Sequence, residues 1–282
     1  MSSSRAIACS AETILEMSEL STSAATQDWQ QADQPNPFGA VAAVILAGGL
    51  GTRLRPVVDD RPKVLADVDG RPFLTYLLDQ LCRVGIQNVV LCTGYQGQQV
   101  SETFGDSYRR LHLQYSREPV ALGTGGALRL AASLIASEWI LAMNGDSYCA
   151  VDLHAFWEWH RAKIADASIV LIHRADASGF GRVEVDADGR IQAFTEKGAE
   201  EKGTEEKSHV AGEAWISAGI YLLRRSLAAS IPLGRAVSIE REIFPQWINK
   251  EMYGYRSEGF FLDIGTPETY NAAQSLLSAN VV

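Results

Sequence analysis

Residues 46–56, LAGGLGTRLRP, set three glycines, a threonine and two arginines directly behind the apolar run Val41-Ala42-Ala43-Val44-Ile45. Glycine reaches φ > 0 and approaches a ligand without Cβ interference, so the amide N–H groups of this loop can turn toward phosphate oxygens. Arg53 adds a permanently charged fork suited to a phosphate, and Lys63, after DDRP, adds a mobile point charge. Taken alone, the loop fits a tight strand-to-helix turn with solvated arginines about as well as it fits phosphate binding. It lacks the Gly-x-x-x-x-Gly-Lys-Ser/Thr pattern, and Leu54 stands where a dinucleotide fingerprint places its third glycine.

Two carboxylates shift that balance. Asp146 follows WILAMNG and Asp263 follows GFFL, each at the end of an apolar run. One such aspartate reads as a turn cap. Two delivered by separate strands beside a phosphate loop make a hard, oxygen-rich site for Mg²⁺, with ligand phosphates completing the coordination.

The elements that must position these groups alternate between strand and helix patterns, as a doubly wound α/β sheet requires. VAAVILA is a continuously apolar strand, expected when both faces are covered. PFLTYLLDQLCRVG repeats its leucines at helical spacing until Gly85, and NVVLCT is the next strand. LGTGGALRLAASLIAS opens a helix on a second glycine cluster; WILAMNGD, ASIVLIH, AWISAGIYLL and GFFLDIG read as strands. Asp188-Gly189 turns a hairpin, and Thr266 caps the closing helix PETYNAAQSLLS. Ligands of such sheets bind beyond the carboxyl ends of the strands. Four polar clusters fall there and are expected to converge: 48–55, 123–126, 144–146 and 263–266.

Composition sets the limits. The 282 residues suit one large domain at 41–282, preceded by a flexible extension over 1–40 to which no chemistry is assigned. A net charge of −9 argues against nucleic acid or an anionic membrane as partner, since either wants a basic footprint. No run of about 18 apolar residues spans a membrane, and the N-terminus carries no convincing export signal. The four cysteines are scattered without a Cys-x-x-Cys pair and read as buried reduced thiols of a cytoplasmic protein. The five histidines and six tryptophans fall outside the polar clusters and read as packing or surface residues. The Glu/Lys-rich insert at about 197–213 reads as a solvated loop.

In chain order, LAGGLGTRLRP, RPK, LGTGGAL, NGD, FTEK, SAGIYLL and FLDIGTPE resemble the sugar-1-phosphate nucleotidyltransferase family over roughly 41–280. The resemblance implies a Rossmann-like mixed sheet of the nucleotide-diphospho-sugar transferase type. It implies transfer of a nucleoside monophosphate from an NTP to a sugar 1-phosphate, with pyrophosphate released. Arg53 and Lys63 would be catalytic. Leu46, Gly48, Gly49, Gly51, Thr52, Arg53, Gly94, Gly123, Thr124, Gly125 and Asp146 would bind the nucleotide, and Asp146 and Asp263 would hold Mg²⁺. Gly181, Glu196, Lys197, Ser217 and Gly219 would form the sugar-phosphate pocket.

Within that family, GRPFLTYLLDQL, EPVALGTGGAL, SIEREIFP and FLDIGTPETY are most similar to guanylyltransferases acting on D-glycero-α-D-manno-heptose 1-phosphate, which implies GTP as donor. Mannose-1-phosphate guanylyl-, uridylyl-, thymidylyl- and cytidylyltransferases share the skeleton and stay open as alternatives, as does a non-catalytic sugar-nucleotide-binding subunit. A glycosyltransferase is disfavoured because Asn144-Gly145-Asp146 is not an Asp-x-Asp pair. A homo-oligomer is compatible with the sequence, which fixes no assembly state.

Overall fold

The computed structural model describes residues 36–49, 51–177, 180–195, 213–248 and 250–280. The strands are β1 (Val41–Leu46), β2 (Asp67–Val68), β3 (Arg71–Pro72), β4 (Asn88–Thr93), β5 (Ser107–Tyr108), β6 (Leu111–Arg117), β7 (Trp139–Asn144), β8 (Ser147–Cys149), β9 (Ala167–Arg174), β10 (Arg182–Val185), β11 (Ile191–Thr195), β12 (Ala214–Arg224), β13 (Met252–Ser257) and β14 (Phe261–Asp263). The helices are α1 (Leu74–Arg83), α2 (Gly97–Phe104), α3 (Gly123–Ala131), α4 (Leu153–Ala162), α5 (Arg225–Ser230), α6 (Phe244–Trp247) and α7 (Pro267–Asn280). No helix among the described residues is long and apolar enough to cross a membrane.

Ten strands form one mixed sheet in the path β11-β10-β12-β7-β1-β4-β6-β5, with β9 pairing β12 and β13. β1 lies parallel to both β4 and β7, so the crossovers leave in opposite directions from its two sides. That topological switch opens a crevice beyond the carboxyl end of β1. The strand alternates as a two-sided strand must: Ala43 and Ile45 join the core that contains Leu74, Leu77, Leu78 and Leu81 of α1, while Ala42 and Val44 join the core that contains Ala127, Leu128 and Ala131 of α3.

The core begins before the expected first strand. Phe38 is 1% exposed, sits edge-on to His154, and accepts the Val41 amide at 3.0 Å, so the packed unit reaches back past residue 41. α2 and β6 also lie outside the sequence expectation; the latter alternates buried and exposed residues because one of its faces is open. Cys82, Cys92 and Cys149 are buried and free, and burial pushes the Cys149 thiol up to about 12.

His160 on α4 is fully buried between Trp139 and Trp157, with Nδ1 2.8 Å from the Ser168 hydroxyl. Burial, reinforced by the Arg224 charge, pulls its pKa down to about 4. A depressed histidine binds its proton more readily in the unfolded chain, so its contribution is complete above the unfolded value of about 6.5 and is lost as pH falls through 4. Wild type should therefore lose up to about 3 kcal/mol over that window through this group. Urea unfolding at pH 7, 5.5 and 4.5 checks it: the difference in stability between wild type and His160→Gln should shrink as the pH falls.

Candidate active site

The glycine loop is built around one buried anchor. Leu54 is 1% exposed and its amide closes a turn onto the Gly51 carbonyl at 2.9 Å, which leaves Arg53 and Arg55 outside. Arg55 rests over the Tyr95 ring at 5.0 Å. Gly48 and Gly94, at the ends of neighbouring strands, cross so closely that a Cβ on Gly94 would meet the Gly48 carbonyl oxygen at 2.7 Å. Lys63 opens a short 3-10 turn whose next two residues, Val64 and Leu65, are buried, so the backbone that carries the ammonium is fixed.

Asp146 leaves the end of β7, where the Gly145 amide donates to the Leu46 carbonyl at 3.0 Å. The following strand, β8, pairs antiparallel with β14, placing Asp263 opposite Ser147, and the Ile264 amide donates to the Asp146 carbonyl at 2.9 Å. The two carboxylates thus arrive from segments more than a hundred residues apart through one short ladder. Lys63 Nζ donates to Asp146 Oδ2 at 2.8 Å, and Gly265 N donates to Asp263 Oδ1 at 2.7 Å. A Cβ built on Gly265 would lie 2.5 Å from Asp263 Oδ1, 3.4 Å from Arg53 Nη2 and 3.6 Å from Lys63 Nζ. Arg53, Lys63, Asp146 and Asp263 therefore surround one spot beside the glycine loop.

Among the described residues no group of three or more His, Cys, Asp or Glu side chains gathers as a self-sufficient metal cage. Two convergent carboxylates between cationic side chains instead suit a hard cation that takes its remaining oxygens from phosphate and water. The donor set fits Mg²⁺ in type.

A cleft of about 260 Å³ runs beside this spot, lined by Leu46, Gly48, Gly49, Lys63, Glu118, Gly123, Thr124, Asn144 and Asp146 among others. Gly51 faces the adjoining hollow with Arg55 and Lys63, and Thr52 is exposed. Gly125 points elsewhere, since its amide donates to the Val237 carbonyl at 2.8 Å. On the other side of β7, Gly219 has φ +72° and is packed so tightly that a Cβ would sit 2.7 Å from the Asn144 side chain. Ser217 accepts the Gly219 amide at 3.2 Å and donates its own backbone N–H to Gly181 O at 3.4 Å, which joins these three residues. Glu196 and Lys197 lie outside the described residues, as does most of the Glu/Lys-rich insert.

Sequence reasoning passed over Glu118. Its carboxylate packs against Gly48 and accepts the Leu122 amide at 2.9 Å on the cleft wall. Burial raises its pKa, with the Leu122 bond opposing, and among the described residues no ion pair offsets the burial. Its one sequence signal is position, five residues ahead of Gly123.

The family profile described as Nucleotidyl transferase matches residues 42–280. The chain is 37% identical over 234 residues to a mannose-1-phosphate guanylyltransferase of Mycobacterium tuberculosis, covering 82% of this chain and 62% of that protein. It is 35% identical over 236 residues to the D-glycero-alpha-D-manno-heptose 1-phosphate guanylyltransferase of Aneurinibacillus thermoaerophilus, covering 83% of this chain and 97% of that one. The crystal structure of HddC from Yersinia pseudotuberculosis complexed with GMP-PN superposes with a TM-score of 0.70 at 29% identity, covering 83% of this chain and 97% of that one.

Proposed function

The chain belongs to the nucleotidyl transferase family, and on that premise we propose that it transfers GMP from GTP to a sugar 1-phosphate of the manno configuration, D-glycero-α-D-manno-heptose 1-phosphate ahead of mannose 1-phosphate. The observation that carries the reading is the meeting of Arg53, Lys63, Asp146 and Asp263 at the mouth of the glycine loop. The names of the two guanylyl-transferring relatives supply the base and the sugar class. The heptose is placed first because GRPFLTYLLDQL, EPVALGTGGAL, SIEREIFP and FLDIGTPETY most resemble the heptose 1-phosphate guanylyltransferases.

The chemistry asks little of proton transfer. A phosphate monoester has its second pKa near about 6, so the sugar phosphate arrives largely as a dianion and needs no general base. Its oxygen attacks the α-phosphorus of GTP; the new O–Pα bond forms as the bond to the β-phosphate oxygen breaks, and the electron pair leaves with pyrophosphate. The barrier is repulsion between two polyanions and charge growing on the α-phosphoryl oxygens. Arg53 holds the triphosphate in its fork, the glycine-loop amides fix its position, and Lys63 stands at the attacked phosphoryl group. Asp146 and Asp263 hold the Mg²⁺, which supplies charge neutralisation on the phosphates. Gly181, Ser217 and Gly219, with Glu196 and Lys197, form the sugar side. A cytoplasmic setting belongs to the same proposal and is supported by the buried, unpaired thiols.

Glu118 reads the base. Guanine offers N1–H and the 2-amino group as adjacent donors, which a carboxylate accepts together; uracil and thymine offer one donor and adenine presents a ring acceptor in the same place. A bidentate pair discriminates by about 1–3 kcal/mol, or about 5- to 150-fold. Initial rates with GTP, ITP and UTP test it: wild type should favour GTP over ITP by about tenfold or more, and Glu118→Gln should lose that margin. An unchanged GTP/ITP ratio in Glu118→Gln removes Glu118 from base selection.

A further inference from the structure

Between β12 and α6 the chain makes a single π-type turn, Ile239–Ile243, and such turns recur at functional sites. Its second residue, Glu240, gathers three hydroxyl donors on one carboxylate. Thr124 Oγ1 donates to Oε2 at 2.9 Å, Ser238 Oγ donates to Oε2 at 3.2 Å, and the Tyr221 hydroxyl donates to Oε1 at 3.1 Å. Two of these arms extend further with the same polarity, the Thr124 arm closing back on the turn and the Tyr221 arm leading away from it. Thr124 Oγ1 accepts the Ile239 amide at 2.9 Å; Tyr221 accepts from Ser217 Oγ at 3.5 Å, which in turn accepts the Gly219 amide at 3.2 Å.

The two ends of this chain lie on different halves of the site. Thr124 lines the cleft at the start of α3, whereas Ser217 and Gly219 sit on β12, Gly219 packing against Asn144. Tyr221, the link between them, is 1% exposed and held edge-on by Phe244 at 5.2 Å. The carboxylate is thus a shared acceptor on which both halves converge. Donors that share one acceptor compete for its charge, and the Ser217–Tyr221 link transmits that competition along its chain, so an alteration at either end changes the other.

We propose that Glu240 is a positioning residue that couples nucleotide binding at Thr124 to sugar 1-phosphate binding at Ser217–Gly219. The inference rests on the sugar subsite and the base-reading role of Glu118 proposed in the preceding subsection, Thr124 lining the same cleft as Glu118. Ordering of one subsite orders the hydroxyl chain, and the second ligand then meets an arrangement already set. By linkage the effect is reciprocal: each ligand tightens the other by the same factor.

Titration calorimetry tests it with guanosine 5′-(α,β-methylene)triphosphate, which cannot react at its α-phosphorus, in Mg²⁺ buffer with mannose 1-phosphate and the heptose 1-phosphate in parallel. In wild type the saturating analogue should tighten sugar phosphate binding by about fivefold or more. Glu240→Ala and Thr124→Val should bring that factor close to one, while Thr124→Ser, which keeps the hydroxyl, should retain it. Glu240→Gln keeps the shape with one acceptor oxygen, and it too should lose most of the factor; it serves if the alanine variant does not fold. A wild-type coupling factor in Thr124→Val or Glu240→Gln overturns the proposal, as does a wild type without coupling for both sugars with the guanosine analogue and its uridine counterpart alike. Coupling that appears with the uridine analogue instead of the guanosine one overturns the guanine assignment and leaves the role of Glu240 standing.

Discussion

Replacing Arg53 with alanine is expected to lower kcat by about 10²- to 10³-fold, the usual cost of removing one preorganised donor from a site of developing charge. Its guanidinium lies 3.4 Å from the position of a Gly265 Cβ, beside Lys63 and Asp263, and the turn that carries it is held by the buried Leu54 rather than by Arg53 itself. The fold should therefore survive, with a thermal midpoint within a few degrees of wild type. Arg53→Lys restores charge without the fork and should recover only part of the rate. Steady-state kinetics with circular dichroism melting separates the outcomes; a near-normal kcat in a folded Arg53→Ala enzyme takes Arg53 out of the reaction.

The second large effect belongs to the paired aspartates. Asp146→Asn and Asp263→Asn should each reduce turnover by about 10³-fold and raise the Mg²⁺ concentration needed for half-maximal rate, because each removes one hard charged donor from the cation. The Lys63–Asp146 contact complicates only the first. Asp146 is 45% exposed but Lys63 only 11%, so Asp146→Asn also leaves a largely buried ammonium without its partner, and a melting curve alongside the kinetics separates the folding cost from the rate loss. An unchanged Mg²⁺ dependence in both variants would remove the pair from metal binding.

Much of this arrangement was legible in the sequence, for stated physical reasons. The glycine loop behind Val41–Ile45 announced itself because only glycine tolerates the approach seen at Gly48 and Gly94. The carboxylates at 146 and 263 announced themselves by standing at the ends of apolar runs. Their meeting was an expectation drawn from sheet architecture, and the β8–β14 ladder that brings it about joins residues too far apart for any local pattern to reveal. Glu118 was invisible because a glutamate in the irregular stretch SREPVALG has the local signature of a solvated charge; only the return of the chain from β6 over Gly48 buries it. Glu240 was visible as part of SIEREIFP but carried no role, since its three donors come from positions 124, 221 and 238. The early start of the core at Phe38 escaped notice because one phenylalanine in PNPFG has no periodicity to mark it.

The reaction itself is open to one direct measurement: ³¹P NMR of the purified enzyme with Mg²⁺, GTP and D-glycero-α-D-manno-heptose 1-phosphate, repeated with mannose 1-phosphate. Pyrophosphate and a GDP-sugar diphosphate should grow in equal amounts as both substrates decline with at least one of the two sugars. Orthophosphate with GDP, or unchanged spectra with both sugars, would contradict guanylyl transfer at this site.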